Sequence, residues 1–449
     1  MKRNKTEQRI FEAADALTPE PPSFETVTQG VDWSEVARKT RSAKRVRWPV
    51  IVAAATAASL LIGTSIGLIV WKASSKQSQP SLRMAKSISL EEASDVVVPA
   101  EKLAFLSDFS EKAIQTVRSS NGTNSFAFSP LSYYLNLGAF YSLTSQSYED
   151  SIHRLGASDQ ADLSRLVGDL SKRIFVDDAH PYHKSRIVSA NLVADFASAF
   201  DQEGVQKITD DLYASYINDA SRASEDLDSF ISQTSDGAVA TYPWEKPGNG
   251  KVSFLSCLYA DVPYPYPFPE RPMASLPFNG EGSYDYYRGD QLATGIVLDE
   301  EYVAFRMGDF RFVKPLSSSL ADFFAVHPFH ECFVNDDMQE YQITLTLPKV
   351  EVDSSLDLLG VAKGTGLCTE GSFVFADDTA PHDFENLRQD NHLEFSNLGV
   401  KAYSGTSSQA IPMWAPVAEI ALDSPFAFEI LGRDDIVLYY GEITSLAVH

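Results

Sequence analysis

A run of twelve mostly small or polar residues, at positions 399–410, most constrains how this chain can fold. The run contains no proline and one large residue, Tyr403. It lies between segments 392–395 and 418–422, which both have the apolar pattern of buried strands. A connection of this length inside a compact domain is usually functional. The sequence therefore predicts an exposed functional loop between two core strands.

The same run also has the pattern of a strand. Alternate residues share one face of an extended chain, and one face of this run carries only small, uncharged side chains: Val400, Ala402, Ser404, Thr406 and Ser408. Proline cannot donate a backbone hydrogen bond and is excluded from central strands. It is absent here until Pro412. The loop is therefore chemically able to become a central strand of a sheet.

Several residues of the loop match a known family pattern. Gly399, Ala402 and Thr406 fit, in register, a hinge of the type Gly-Thr-x-Ala-Ala-x-Ala-Thr, and the fifteenth residue counted from Gly399 is Met413. The string 410–413 reads Ala-Ile-Pro-Met, and 425–430 reads Pro-Phe-x-Phe-x-Ile. In these features the segment resembles the reactive-centre loop and C-terminal hairpin of the serpins.

Further motifs extend the resemblance over roughly 97–449. The string 126–132 is similar to the serpin motif F-x-S-P-x-S, which begins a buried helix, and matches follow at 185–197, 227–237, 252–268 and 343–361. The resemblance implies an α+β fold with a large, mainly antiparallel central sheet, further sheets, about eight or nine helices and an exposed reactive-centre loop. The chain as a whole resembles a membrane-anchored, bacterial-type member of this family.

The resemblance also assigns residues to the region where the central sheet opens. These residues are Ser129, Ser132, Ser256, Tyr264 and Gln389. Three of them replace common family residues: Ser256 stands for asparagine, Tyr264 for tryptophan and Gln389 for histidine. Asn397 replaces a hinge glutamate.

The resemblance implies that the chain inhibits serine proteases as a suicide substrate. It assigns Met413–Trp414 as the reactive bond, Ile411 and Pro412 as the bait flank, and Gly399, Val400, Ala402, Ser404 and Thr406 as the loop hinge. After cleavage the loop would enter the main sheet as a strand. Methionine at this position predicts elastase-, chymotrypsin- or subtilisin-like target proteases, because a trypsin-like pocket requires Lys or Arg.

The N-terminal part predicts a membrane anchor. Residues 48–71 carry no charge and form about 36 Å of helix at ~1.5 Å per residue, enough to cross a hydrocarbon core of ~30 Å. Six basic residues precede the span and only Lys72 and Lys76 follow closely, which places the N-terminus in the cytoplasm. The sequence divides into a cytoplasmic tail (1–47), a transmembrane helix (48–71), a stalk (72–96) and an extracellular serpin-like domain (97–449) at the cell membrane. A cleaved signal peptide is the alternative.

Composition argues against other function classes. The net charge is −24 although residues 1–76 are basic, so a nucleic-acid partner is not expected.

The three cysteines, Cys257, Cys332 and Cys368, are expected to be free, buried thiols. The repeated His-Pro-x-His strings at 180–183 and 327–330 lack the ligand frame of a zinc site. The sequence indicates no enzyme, catalytic residue, metal or cofactor.

A second hypothesis stays open. The domain could be a non-inhibitory surface module with the serpin fold, used for binding or adhesion. Four departures from the family pattern favour it: Ser256, Tyr264, Asn397 and Tyr403.

Overall fold

The structure, a computed structural model, describes part of the chain. The described residues are 81–145, 148–180, 183–235, 237, 239–242, 246–272, 274–333, 339–367, 372–375, 382–383, 387–400 and 418–446. The predicted tail 1–47, the predicted transmembrane helix 48–71 and the loop residues 401–417 lie outside these ranges. Among the described residues, no helix is long and apolar enough to span a membrane.

Two large sheets form the body. The first contains β1 (Leu82–Arg83), β3 (Val176–His180), β4 (His183–Asp195), β5 (Ala214–Ile217), β6 (Val252–Pro263), β12 (Val350–Asp357), β15 (Arg388–Phe395) and β16 (Gly399–Val400), in the order β1-β5-β4-β6-β16-β15-β12 with β3 paired to β4. The second contains β2 (Phe126–Phe128), β7 (Ala274–Phe278), β8 (Glu281–Leu298), β9 (Tyr302–Met307), β10 (Phe310–Pro315), β11 (Tyr341–Pro348), β17 (Ala418–Ala421), β18 (Phe426–Leu431) and β19 (Val437–Ile443). Its order is β17-β11-β8-β9-β10-β18-β19-β2, with β7 paired to β8. β13 (Ser372–Phe373) pairs separately with β14 (His382–Asp383).

The described residues form nine α-helices. They are α1 (Leu90–Asp95), α2 (Ala100–Asn121), α3 (Pro130–Leu143), α4 (Glu149–Arg154), α5 (Gln160–Arg173), α6 (Gln202–Gln206), α7 (Ala223–Thr234), α8 (Leu320–Phe324) and α9 (Leu359–Gly364). α6 continues as a π-helix, Lys207–Asp211, and short 3-10 helices cover Ala220–Arg222, Phe329–Cys332 and Arg433–Asp435. The predicted α+β class is confirmed.

α3 is the buried helix behind the first sheet. The Ser129 hydroxyl accepts a hydrogen bond from the Ser132 backbone N–H at 3.2 Å, and Pro130 occupies the first helical position. Because serine is a favoured N-cap residue and proline is favoured at the first helical position, both residues favour a helix that begins here. An apolar surface on all sides requires burial on all sides. α3 therefore packs against β4 and β6 of the first sheet and β19 of the second.

The folded part begins before position 97. β1 pairs with β5 at the edge of the first sheet, and the Ser81 hydroxyl donates to the Asp226 carboxylate on α7. α1 starts at a capping box between Ser89 and Glu92. The last part of the segment predicted as a stalk, residues 81–96, thus lies on the domain.

A buried carboxyl group makes the second sheet sensitive to pH. Glu429 on β18 is 3% exposed and lies opposite Arg311 of β10, at an N–O distance of 3.4 Å. Burial raises the pKa of Glu429 to about 7, and the negative charges of Glu111 and Asp435 act in the same direction, while Arg311 lowers it. Because this folded-state pKa lies above the ordinary value of 4.5, Glu429 stabilises the fold at low pH, and that contribution is lost as the pH rises through 7.

Glu429→Gln should remove this pH dependence. A shift of this size corresponds to roughly 3 kcal/mol, so the wild type should lose about that much relative to the variant between pH 4.5 and 8. Urea unfolding of both proteins across this range measures the difference, with Glu351→Gln on the exposed side of β12 as the control. Parallel pH profiles for wild type and Glu429→Gln would contradict the assignment.

Candidate functional site

The first sheet is divided between β6 and β15. Both strands are antiparallel to β16 and therefore parallel to each other, and within the described residues only the two residues of β16 join them. Below β16 the strands border a groove of about 1360 Å³, whose lining includes Ser256 and Leu258 of β6, Gln389 and Leu393 of β15, and Asn136 of α3. We call this space the strand gap. A gap between parallel strands has room for one further antiparallel strand.

The upper end of the strand gap is closed by a tight turn. The Ser396 backbone N–H and hydroxyl both donate to the Gly399 carbonyl, at 2.9 and 2.8 Å. Val400 then pairs with Phe395 of β15 and Val262 of β6, and its side chain is 4% exposed. The chain has thus already turned back into the sheet at the start of the predicted hinge.

Position 399 accepts only glycine in this arrangement. A Cβ atom there would lie 2.2 Å from the Val262 carbonyl oxygen and 2.7 Å from the Pro263 Cα. Both are backbone atoms of β6, so neither can move aside without displacing the strand.

Asn397 and Tyr264 lie next to this turn. The Tyr264 N–H donates to the Leu398 carbonyl at 2.9 Å, and the Phe268 N–H donates to the Asn397 carbonyl at 2.7 Å. The Asn397 amide donates in return to the Phe268 carbonyl at 3.4 Å. The Tyr264 ring packs against Phe268 and Phe310, with centroids 5.3 and 5.0 Å away. Its hydroxyl is buried without a hydrogen-bond partner in the described part of the chain, and burial raises its pKa.

Gln389 fastens β15 to the start of α3. Its Oε1 accepts from the Ser129 backbone N–H at 2.7 Å, and its Nε2 donates to the Ser129 carbonyl at 2.9 Å. The Ser129 hydroxyl donates to the Leu438 carbonyl of β19 at 2.7 Å, and its oxygen lies 3.1 Å from the Ser132 hydroxyl oxygen. Gln389, Ser129 and Ser132 therefore form one connected network.

Two residues that the sequence did not single out add to this attachment. Asn391 of β15 donates to the Ala127 carbonyl at 2.9 Å, and the Ser354 hydroxyl of β12 donates to the same carbonyl at 2.7 Å. Ala127 belongs to β2 in the second sheet. The half of the first sheet formed by β12 and β15 is thus bound to the second sheet by side chains. In the sequence, this attachment could have been recognised from the polar residues Gln389 and Asn391, which alternate on the inner face of a strand where apolar side chains are expected.

Ser256 belongs to a different network. Its hydroxyl donates to Asn191 Oδ1 of β4 at 2.7 Å, and the Asn191 amide donates to the Ser171 hydroxyl of α5 at 3.4 Å. Its hydrogen bond thus points to β4, away from Gln389. The structure brings Ser129, Ser132 and Gln389 together but attaches Ser256 to the opposite side of the strand gap.

The remaining predicted loop residues are not described. The reactive bond Met413–Trp414, its flank Ile411 and Pro412, and the hinge residues Ala402, Ser404 and Thr406 all fall within 401–417.

Cys257 and Cys332 are free and buried, as predicted, and burial raises both thiol pKa values to about 12. Cys368 lies outside the described residues.

Within the described part of the chain, Glu351, Asp353 and His392 bring three potential ligand atoms within 4.8 Å of one another. All three side chains are exposed, and exposed groups of this kind are common without a bound ion, so they do not define a metal centre.

Comparison with known proteins identifies the fold. The chain is similar to the native state of tengpin, a thermophilic serpin, with a TM-score of 0.63 and 15% identity over 81% of this chain and 98% of that one. It is also similar to human thyroxine-binding globulin in complex with thyroxine, with a TM-score of 0.63 and 14% identity over 77% and 99% of the two chains. The described domain therefore has the serpin fold.

Sequence relatives support the same class over a limited length. Serpin B10 of Mus musculus is 30% identical over 123 residues, which cover 24% of this chain and 30% of that protein. Serpin B10 of Sorex araneus is 29% identical over 121 residues, or 25% and 30% of the two chains. The chain thus matches less than a third of the length of these curated relatives. No family model matches the chain.

Gln389→Ala should destabilise the folded protein. The change leaves the buried Ser129 N–H without its acceptor, at a cost of about 2 kcal/mol. Urea unfolding measures the loss, with Gln115→Ala on the exposed face of α2 as the matched control. An effect no larger than that of the control would show that Gln389 does not hold β15 in place.

Gly399→Ala should expel β16 from the sheet. Overpacking against backbone costs about 1–3 kcal/mol, so hydrogen-exchange protection of the Val400 amide should fall roughly tenfold or more. Cleavage within 399–417 should accelerate in limited proteolysis. Gly360→Ala in α9 is the control, because a Cβ at 360 meets no atom within 4 Å. Unchanged protection at Val400 would contradict the close contact with β6.

Proposed function

We propose that the protein inhibits serine-type endopeptidases as a suicide substrate whose cleaved loop enters the strand gap. The observation that carries this proposal is the division of the first sheet between β6 and β15, bridged only by Gly399 and Val400 within the described residues. The serpin fold and the short match to serpin sequences support it.

The register of β16 gives the inserted strand a specific position. Val400 lies opposite Phe395 and Val262. Continued down the strand gap, this register would place Thr406 between Ser256 and Gln389. Since alternate residues share a face, Thr406 would point inward like Val400. Its hydroxyl would then meet two polar side chains, while a large side chain there would collide with α3.

The outer face of the inserted strand would carry Lys401. The same register, continued by one residue, would set it between Glu394 of β15 and Asp261 of β6. Opposite charges on neighbouring strands stabilise a sheet by about 0.2–1 kcal/mol per pair. The loop sequence therefore suits the strand gap on both faces.

The inhibitory reaction follows from this arrangement. A protease nucleophile attacks the Met413 carbonyl and forms an acyl-enzyme as the bond to Trp414 breaks. Residues 399–413 then become a strand of the first sheet, and release of the stored strain drives this insertion. The attached protease moves with Met413 before water can hydrolyse the ester. The protein is thus a substrate that is not turned over, not an enzyme.

The proposal includes a target class and a location. Met413 after Pro412 suits elastase-, chymotrypsin- or subtilisin-like proteases. The uncharged segment 48–71 and the basic residues before it support a single membrane helix with a cytoplasmic N-terminus and an extracellular inhibitor domain at the cell membrane.

A non-inhibitory surface binding or adhesion module is the second candidate. One observation favours it: Gln389 is attached to the start of α3 at two points. This attachment resists movement of β15 away from α3, and so resists widening of the strand gap. The fold also occurs in a globulin bound to thyroxine, so binding is compatible with it.

Incubation with elastase- and subtilisin-type proteases tests the proposal. We expect an SDS-resistant complex with the protease and a cleaved form that melts at a much higher temperature than the intact protein. Clean cleavage at 413–414 with full protease activity retained, and no rise in melting temperature, would favour the second candidate.

A pair of neighbouring variants separates insertion from loop recognition. Thr406→Arg places a charge on the inward face and should turn the inhibitor into a substrate, because burying an unpaired charge is strongly unfavourable. Ser407→Arg places the same side chain on the outward face and should leave the yield of complex nearly unchanged. Equal loss in both variants would argue against strand insertion.

A further inference from the structure

The edge of β6 that borders the strand gap is hydrogen-bonded by side chains from the layer behind it. Asn136 Nδ2 of α3 donates to the Phe254 carbonyl at 2.8 Å, and the Tyr439 hydroxyl of β19 donates to the Leu258 carbonyl. An edge strand with unsatisfied backbone groups is otherwise open to pairing with another chain.

The pairing at the top of the strand gap shows that these two carbonyls belong to the gap edge. The Tyr264 N–H donates across to the Leu398 carbonyl, so residue 264 directs its backbone groups toward the chain that enters the gap. Hydrogen-bonded positions recur at every second residue of an antiparallel pair. Leu258 and Phe254 lie in this same series, and their carbonyls therefore face the position that a strand would occupy.

Asn136 differs from the rest of α3 in its exposure. It is the one residue of the helix that is not buried, because the other thirteen residues are all buried. Asn136 and Tyr439 both line the strand gap. Their donor groups reach two carbonyls of one strand that lie four residues apart.

We propose that Asn136 and Tyr439 are strand substitutes, which hold the open edge of β6 until a strand takes their place. This inference rests on the proposed insertion of the loop. In the register of β16, the N–H groups of residues 404 and 408 would donate to the carbonyls of Leu258 and Phe254. With the strand in place, each carbonyl has a backbone donor, and the side-chain bonds become dispensable.

A strand substitute differs from an ordinary structural hydrogen bond in one measurable respect. An ordinary bond between helix and sheet stabilises the protein whether the strand gap is open or filled. A strand substitute stabilises the open form only. Removing it therefore lowers the free energy of unfolding of the open form and leaves that of the filled form unchanged.

Tyr439→Phe and Asn136→Ala test this with the gap open and with the gap filled. The gap is filled in the full chain by a synthetic peptide of residues 401–413, because β16 already occupies the positions of residues 399 and 400. Its incorporation is followed on native gels. In the open form each variant should lower the melting temperature by about 2 °C, as expected for one hydrogen bond. In the peptide-filled form the melting temperature should equal that of the wild type with peptide.

Tyr134→Phe is the matched control. The Tyr134 hydroxyl also donates to a backbone carbonyl, that of Leu155 at 2.7 Å, in a buried position that does not line the strand gap. This variant should lower the melting temperatures of the open and filled forms equally.

Two outcomes would overturn the inference. The first is an equal loss in the open and filled forms for Tyr439→Phe and Asn136→Ala, as for the control. The second is failure of the peptide to bind and stabilise the wild type. Because the peptide supplies the strand without any protease, failure of the protein to trap a protease would count against the proposed function alone.

Discussion

The arrangement of the first sheet depends on how its two halves are held. β12 and β15 are attached to the body through side chains that bond backbone groups of β2 and the start of α3, above all the two-point contact between Gln389 and Ser129. β4 and β6 are attached instead through Asn191 to α5 and through Asn136 to α3. Each half is thus bound to what lies behind it. Backbone pairing between the halves is confined, in the described structure, to the short strand β16.

This arrangement keeps the described halves of the sheet from collapsing onto each other. Closing it would require the polar contacts on both sides to break, and each buried group left without a partner costs about 1–3 kcal/mol. The turn at Ser396–Gly399, by contrast, favours the pairing of a strand between the two halves. It already brings the chain after β15 back alongside that strand, so the entropic cost of loop closure has been met before further residues pair. The described structure therefore combines side-chain attachments that keep the halves apart with a formed first turn of the hairpin that would fill the space.

Much of the fold could be predicted from the sequence. The strand pattern on both sides of the loop and the start of α3 at Ser129–Pro130 depend on local periodicity and capping, which a single sequence records directly. The burial of Val400 also follows from its place in the alternation. The partners of polar side chains could not be predicted. That Gln389 would bond the Ser129 backbone, or that Ser256 would turn to Asn191, depends on distances between strands far apart in the chain. The folding of residues 81–96 on the domain was missed for a similar reason, since β1 has only two residues and gains its order from β5.

The attachment of residues 81–86 to the sheet edge has a mechanical consequence. Leu82 and Arg83 pair with β5, the Ala85 N–H bonds the Ser215 hydroxyl of the same strand, and the Ser81 hydroxyl bonds α7. A pull on the chain before residue 81 would therefore load β5 first, then β4, and then β6, in the order in which the strands are paired. The force would act across the sheet toward β16, the boundary at which backbone pairing is sparsest among the described residues. Tension on the N-terminal side and the width of that boundary are mechanically coupled through three consecutive strands.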